Sequence, residues 1–160
     1  MTLSRKIAAA LDENTRAYNL PCTITVDEGP NRITLDLTAL DAVGVAFDSL
    51  EFTATDRGDW SPQDLNAWGE RLAKRVTYLM EPLRVLEIDA GGGEVQIRSD
   101  APTPRAETRG YYEVRLNRQG TCRLERYAYD EQDRQRRRTA CHLPPECVER
   151  LADDIAASSA

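Results

Sequence analysis

The sequence predicts an α+β domain: a mainly antiparallel sheet with helices packed on one face, in the order α-β-β-β-α-β-β-β-β-β-α. Three observations carry this expectation. Apolar residues recur at every second position through two long regions, three other segments carry apolar stripes at helical period, and clusters of Gly, Pro, Asn and Asp separate the runs. With 160 residues, 41% hydrophobic and 30% charged, the chain is long and apolar enough to bury one core. A single domain over 1–160 is expected.

Leu3, Ile7, Leu11 and Tyr18 follow a helical period, which predicts a first helix over 3–18 that ends before Leu20-Pro21. Cys22, Ile24 and Val26 then alternate with polar residues. The Glu28-Gly29-Pro30-Asn31 cluster turns the chain into Ile33, Leu35 and Leu37, giving a hairpin with one wet face. In the third strand Val45 and Phe47 are odd-numbered but Leu50 and Phe52 are even. A period of two cannot change phase without an extra residue, so a bulge or short break is expected at Asp48-Ser49.

The second helix has the strongest start signal: Ser61 as N-cap, Pro62 at the first helical position, Asp64 in the first turn and Trp60 placed to staple onto Leu65. Its stripe of Leu65, Trp68, Leu72, Val76 and Leu79 predicts a helix over 62–80 that lies flat on the sheet and stops before Pro82. Strands are expected at 83–89 and 94–98 around a Gly91-Gly92-Gly93 turn, and the segment 99–109 reads as a flexible loop or subdomain seam. Tyr112, Val114 and Leu116 alternate, Asn117 to Gly120 turns, and Cys122 and Leu124 return toward Tyr127 and Tyr129. A last strand is expected over 135–142. Pro144-Pro145 opens a third helix with Val148, Leu151 and Ile155 inward and an Ala/Ser tail that frays.

Net charge is −6. The segments 1–60, 61–109 and 144–160 are each acidic, and the positive excess is confined to 110–143. No stretch approaches the roughly 20 apolar residues that cross a bilayer, and Asp12 and Glu13 interrupt the apolar run Ile7 to Leu11 too soon for a signal peptide. No membrane association is expected, the expected location is cytoplasmic, and Cys22, Cys122, Cys141 and Cys147 are read as reduced thiols.

His142 is the only histidine. Histidine alone has an unperturbed pKa in the physiological range, so most acid-base mechanisms and catalytic zinc sites lose their usual residue here. Cys141 adjoins it, yet adjacent strand residues point to opposite faces, which counts against a nucleophile and base pair; a small hydrolase or thiol enzyme near Cys141 stands as an alternative. A zinc site from Cys122, Cys141, His142 and Cys147 lacks paired C-x2-C spacing, and neither metal nor cofactor is expected. Asp36, Asp56, Asp59 and Asp89 carry no bracketing motif for a carboxylate pair, and Gly91–Gly93 lacks the Lys-Ser/Thr of a phosphate loop. The Arg134–Arg138 region, beside Arg123, Arg126, Tyr127 and Tyr129, has the composition of a surface that tracks a nucleic-acid backbone, but Asp130, Glu131 and Asp133 precede it and would repel phosphate. Nucleic-acid binding is the second alternative.

The helix at 3–18, the alternations at 22–26, 33–37 and 45–52, the helix at 62–80, the hairpin at 83–98 and the last helix give an element order similar to that of the small dimeric type III secretion chaperones. The hairpin around Asn117 to Gly120 departs from it. The resemblance implies dimerisation and binding of an extended partner segment. The expectation is therefore a non-enzymatic, chaperone-like interaction module, a homodimer that binds another protein, with Trp60, Trp68, Tyr111, Tyr127, Tyr129, Arg136, Arg137 and Arg138 as the candidate partner-binding residues.

Overall fold

The computed structural model describes residues 2–17, 20–41, 43–79, 81–89, 93–99, 103–105 and 108–160, with the side chains of 16, 17, 86–89 and 103–105 set aside. Among the described residues three helices, α1 (Leu3–Ala17), α2 (Pro62–Arg75) and α3 (Pro145–Ser159), accompany ten strands: β1 (Cys22–Glu28), β2 (Asn31–Leu40), β3 (Val45–Ala54), β4 (Leu83–Asp89), β5 (Glu94–Ser99), β6 (Thr103–Arg105), β7 (Thr108–Asn117), β8 (Thr121–Asp130), β9 (Gln135–Thr139) and β10 (Cys141–Leu143). This is the α+β, antiparallel architecture that the alternation predicts. The main sheet path runs β1-β2-β3-β8-β7-β5-β4, with β10 on β3, β6 on β7 and β9 on β8, every pairing antiparallel.

Alternation sends Ile33, Leu35, Phe52, Ile97, Val114 and Leu124 to one face, where all six are buried. The helices lie on that face: α1 over β1 and β2, α3 over β3, and α2 over β4, β5 and β7, with α3 touching both other helices. No helix among the described residues is long and apolar enough to cross a membrane.

The phase change in β3 is a bulge where it was expected. Leu35 pairs Leu50 and Leu37 pairs Phe47, so three steps along β3 match two along β2 at Asp48-Ser49. The Asn117–Gly120 turn depends on its last residue. Gly120 sits at φ +82, its carbonyl accepts from Ala54 N–H, and a Cβ there would lie 2.8 Å from Trp60 Nε1.

Four expectations need correction. First, α2 stops at Arg75, short of residue 80: Val76 leaves the helix while its N–H still bonds Leu72 O. β-branched Val76 and Thr77 are weak helix formers, and the extended chain beyond lets Tyr78 OH reach Asp154 of α3 at 2.8 Å. Second, the α3 tail is docked instead of frayed, because Ser158 is buried and takes hydrogen bonds from Trp68 Nε1 to its hydroxyl (3.0 Å) and from Arg71 Nε to its carbonyl (2.7 Å). Third, Thr103–Arg105 pairs with Thr108–Gly110, so that part of the 99–109 span belongs to the sheet. The rest of the span, the Gly91-Gly92 part of the glycine run, Tyr18 and Met80 lie outside the described residues.

Fourth, the last strand is two strands. β3 and β8 pair only from Leu50–Thr53 against Thr121–Leu124 and then diverge. Into that fork β9 descends along Arg126–Asp130 of β8, the chain reverses near Ala140, and β10 climbs back along Val45–Phe47 of β3. A V-shaped segment thus closes a gap that continuous pairing of β3 and β8 would not have left.

Close seating of α2 rests on Gly69, where a Cβ would stand 3.3 Å from Ile97 Cδ1 and 3.4 Å from side-chain atoms of Val85 and Val95. Gly69→Leu is therefore expected to lower the unfolding free energy by about 1–3 kcal/mol through overpacking. An unchanged urea midpoint would show that the helix does not sit this close to the sheet.

Candidate binding face

The face away from the helices carries a lattice of arginine, glutamate and tyrosine built by the same alternation. Glu113 and Arg115 of β7 stand directly opposite Glu125 and Arg123 of β8, so like charges face like charges across the hairpin. Two outer strands supply the balance. The Glu113 side chain, 1% exposed, accepts at Oε1 from Gln96 Nε2 (2.7 Å), Arg136 Nη1 (2.8 Å) and Arg98 Nη2 (3.5 Å). Its Oε2 lies 3.1 Å from Arg115 Nη2, an ion pair outside hydrogen-bond geometry. Glu125 accepts from Arg138 Nη1 at 3.0 Å and lies 3.4 Å from Arg123 Nε, and Arg123 also reaches Glu51 at 3.1 Å.

The tyrosines are part of this lattice. Tyr111 and Tyr127 are directly opposed and their rings stack at 6.0 Å with 23° between planes. Arg98 lies over Tyr111 at 4.9 Å and Arg136 over Tyr127 at 4.0 Å. Burial works against the Arg136 charge, but its bonds to Tyr111 and Glu113 outweigh that, and its pKa is raised. Burial, together with the nearby Glu125 and Glu113, raises the Tyr127 hydroxyl as well.

The candidate residues divide accordingly. Tyr111, Tyr127, Tyr129, Arg136 and Arg138 share the uncovered face. Arg137 does not: it projects to the other side of β9, where it pairs with Asp133 and lies 4.0 Å from Asp130. Trp60 and Trp68, 2% and 0% exposed, belong to the core, with ring centroids 4.9 Å apart and Trp68 edge-on to Phe52. Their rings are the largest apolar surfaces near the α2 start, and burying them outweighs any surface role. Sequence reasoning passed over Arg98, Glu113, Arg115 and Glu125. The signal was present in part, since the Asn117–Gly120 turn fixes which residues of β7 and β8 oppose each other.

The helix side holds a second polar group that the sequence did not announce. Buried Glu81 accepts at Oε1 from Ser99 Oγ (3.0 Å) and Arg126 Nη1 (3.2 Å), Ser99 Oγ accepts from Tyr112 N–H (2.7 Å), and Arg126 covers the Tyr112 ring at 4.5 Å. It ties the chain after α2 to β5, β7 and β8. Cys141 is buried beside this group, and burial, against the pull of Arg126, pushes its thiol up to about 12. Burial of this kind disfavours the thiolate near neutral pH. His142 points to the opposite side of β10, into a shallow depression of about 330 Å3 with Leu40, Val43 and Leu143 on its walls. Burial also raises the Cys122 thiol. Among the described residues no three His, Cys, Asp or Glu side chains converge as a metal-binding group. Asp36 accepts from Thr23 and Ser49, Asp59 pairs with Arg118, and the Asp89 side chain is not among those described.

Two outcomes follow. Glu113→Gln keeps the shape but strips the charge that holds Arg98, Arg115 and Arg136. Losing one partner of a buried pair costs several kcal/mol, but these guanidiniums keep a third or more of their surface in water, so a loss of about 1–3 kcal/mol is expected in urea unfolding. An unshifted midpoint would mean the cage holds nothing in place. On the helix side, burial pushes Tyr112 from 10.0 up to about 12 and Cys141 from 9.0 up to about 12. The unfolded chain gives up these protons first, so the native state is favoured in full below about 9 and loses stability as pH rises from there toward about 12. Tyr112→Phe and Cys141→Ala should each flatten that alkaline slope, whatever they do to stability at neutral pH.

Compared with family models, with curated proteins and with solved structures, the chain finds no match, so its functional reading rests on these residues alone.

Proposed function

We propose that the chain is a non-enzymatic, chaperone-like binding module that holds an extended acidic segment of another protein across the uncovered β5-β7-β8-β9 half of its sheet. The observation that carries this reading is charge placement. In a chain of net charge −6, the half-sheet without helical cover presents Arg98, Arg115, Arg123, Arg136 and Arg138 around two central carboxylates, Glu113 and Glu125, with Glu51 and Glu94 at its margins.

The arginines are held before any partner arrives. Among the described residues Arg115 and Arg138 each commit one guanidinium nitrogen to a glutamate, which leaves the remaining donors for carboxylates of a partner. Fixing these long side chains in advance reduces the ordering cost of binding. The tyrosines favour a peptide over a nucleic acid. The rings of Tyr111 and Tyr127 each have the other beside them and a guanidinium over them, so neither of these two offers the free face that base stacking needs.

The test is fluorescence anisotropy with a labelled oligo-glutamate peptide against an oligothymidylate of equal charge. The peptide is expected to bind the wild-type chain with salt-sensitive affinity, and Arg115→Gln with Arg138→Gln together to weaken it about tenfold. Tighter binding of the oligothymidylate, weakened by the same substitutions, would replace this reading with nucleic-acid binding. Absence of binding to either at low salt would overturn it.

A further inference from the structure

An antiparallel sheet has edges, and exposed edges recruit other strands unless something guards them. Most edge strands here carry a guard. β9 is wholly exposed and places Arg136, Arg137 and Arg138 in a row; β4 is interrupted by a register shift between Val85 and Glu87; β6 and β10 are three residues each, and β6 contains Pro104. β1 differs. It pairs β2 in an unbroken seven-residue register, from Cys22 with Leu37 to Glu28 with Asn31, and contains no proline, lysine, arginine or bulge.

The register also tells which backbone groups of β1 face outward. Directly opposed residues alternate between hydrogen-bonded and non-bonded pairs, and a two-residue loop such as Gly29-Pro30 closes on the bonded pair Glu28–Asn31. The N–H and C=O groups of Thr23, Thr25 and Asp27 therefore point away from β2. Lys6 Nζ agrees with this assignment, since it reaches the Asp27 carbonyl at 2.7 Å, and it is the only side chain recorded on that edge among the described residues. A carbonyl oxygen has a second lone pair for a strand N–H.

We propose that β1 is a homodimer interface, in which the β1 strands of two copies pair antiparallel about a two-fold axis at Thr25 and join their sheets into one. The edge is complementary to itself in that register. Thr25 meets Thr25 of the second copy, Thr23 meets Asp27, Ile24 meets Val26 and Cys22 meets Glu28, so no like charges are opposed. Ile24 is half-buried at the margin of the helix-covered face and gains cover from Val26 of the second copy. Arg32 pairs with Asp27 at 2.7 Å, which lowers the carboxylate charge near the axis. The pairing leaves the arginine-rich half-sheets at the two outer ends and does not rest on their proposed role.

Thr25 projects to the uncovered face and is exposed, so a charge there does not disturb the core of either copy. Thr25→Lys and Thr25→Glu each place like charges against one another at the axis and are expected to weaken the dimer about fivefold or more in sedimentation equilibrium at low salt. Mixing the two variants brings opposite charges together and should restore a dimer containing one copy of each, as judged by native mass spectrometry. Circular dichroism on each variant separates loss of pairing from loss of fold. A wild-type chain that stays monomeric at high micromolar concentration overturns the proposal and leaves the edge to a strand from another protein. Variants that dimerise as the wild type does, or a mixture with no preference for the mixed dimer, place any dimer contact elsewhere and overturn it as well.

Discussion

Directly opposed residues on neighbouring antiparallel strands must share a face, and a sheet covered on one side only must leave half of those pairs to water. In the β7–β8 hairpin this constraint puts Glu113 against Glu125 and Arg115 against Arg123. Neither pair is favourable by itself. The hairpin tolerates them because Arg115 turns back to Glu113 and Arg123 to Glu125 along their own strands, while Arg98 and Arg136 arrive from β5 and β9. Single exposed ion pairs contribute about 0–1 kcal/mol, so the value of this arrangement lies in each guanidinium serving a carboxylate that is out of water. Strand order therefore has an electrostatic consequence: β5 and β9 must flank the hairpin for its charges to be balanced.

The covered face solves the same problem with fewer groups. Arg126 lies on the helix side of β8, where a guanidinium needs a partner to remain buried, and Glu81, just beyond α2, supplies it. That requirement bears on the early stop of α2, since the chain must leave the helix to bring Glu81 back over β5 and β7. The Trp68 to Ser158 bond and the Tyr78 to Asp154 bond then fasten α3 against the same corner. Local helix propensity near Val76 is weak, and these tertiary contacts decide the boundary.

Features set by chain-local periodicity were legible in the sequence. The Asp48-Ser49 bulge shows as a phase slip in a single strand, and the start of α2 shows in Ser61, whose hydroxyl accepts from Asp64 N–H at 3.1 Å. Features set by strand order were not. The V at Ala140 falls in a segment whose first half, Gln135–Thr139, is exposed on both faces and so carries no alternation to read. Glu113 looks like any wet-face glutamate until β5 and β9 are known to bring Arg98 and Arg136 to it. The tryptophans carried two readings at once: a large ring beside a helix start fits a core or a groove equally well, and packing of Trp68 against Phe52 and Trp60 puts both in the core.

Charge separation along the chain reconciles an acidic whole with a cationic binding face. Residues 22–59 hold Asp27, Glu28, Asp36, Asp41, Asp48, Glu51, Asp56 and Asp59 against only Arg32 and Arg57, and of the helices α3 alone is acidic, where Glu149, raised first by burial, is raised further by Glu146 and Asp153. The arginines lie on the far side of the sheet, about 10 Å or more away, which is comparable to the Debye length at physiological salt. At that separation an approaching acidic segment is screened from α3 once it lies against the arginines, and at longer range and lower salt the acidic 22–59 segment turns it toward them. Net charge then tells little about which partner binds, and the placement of charge determines the face it meets.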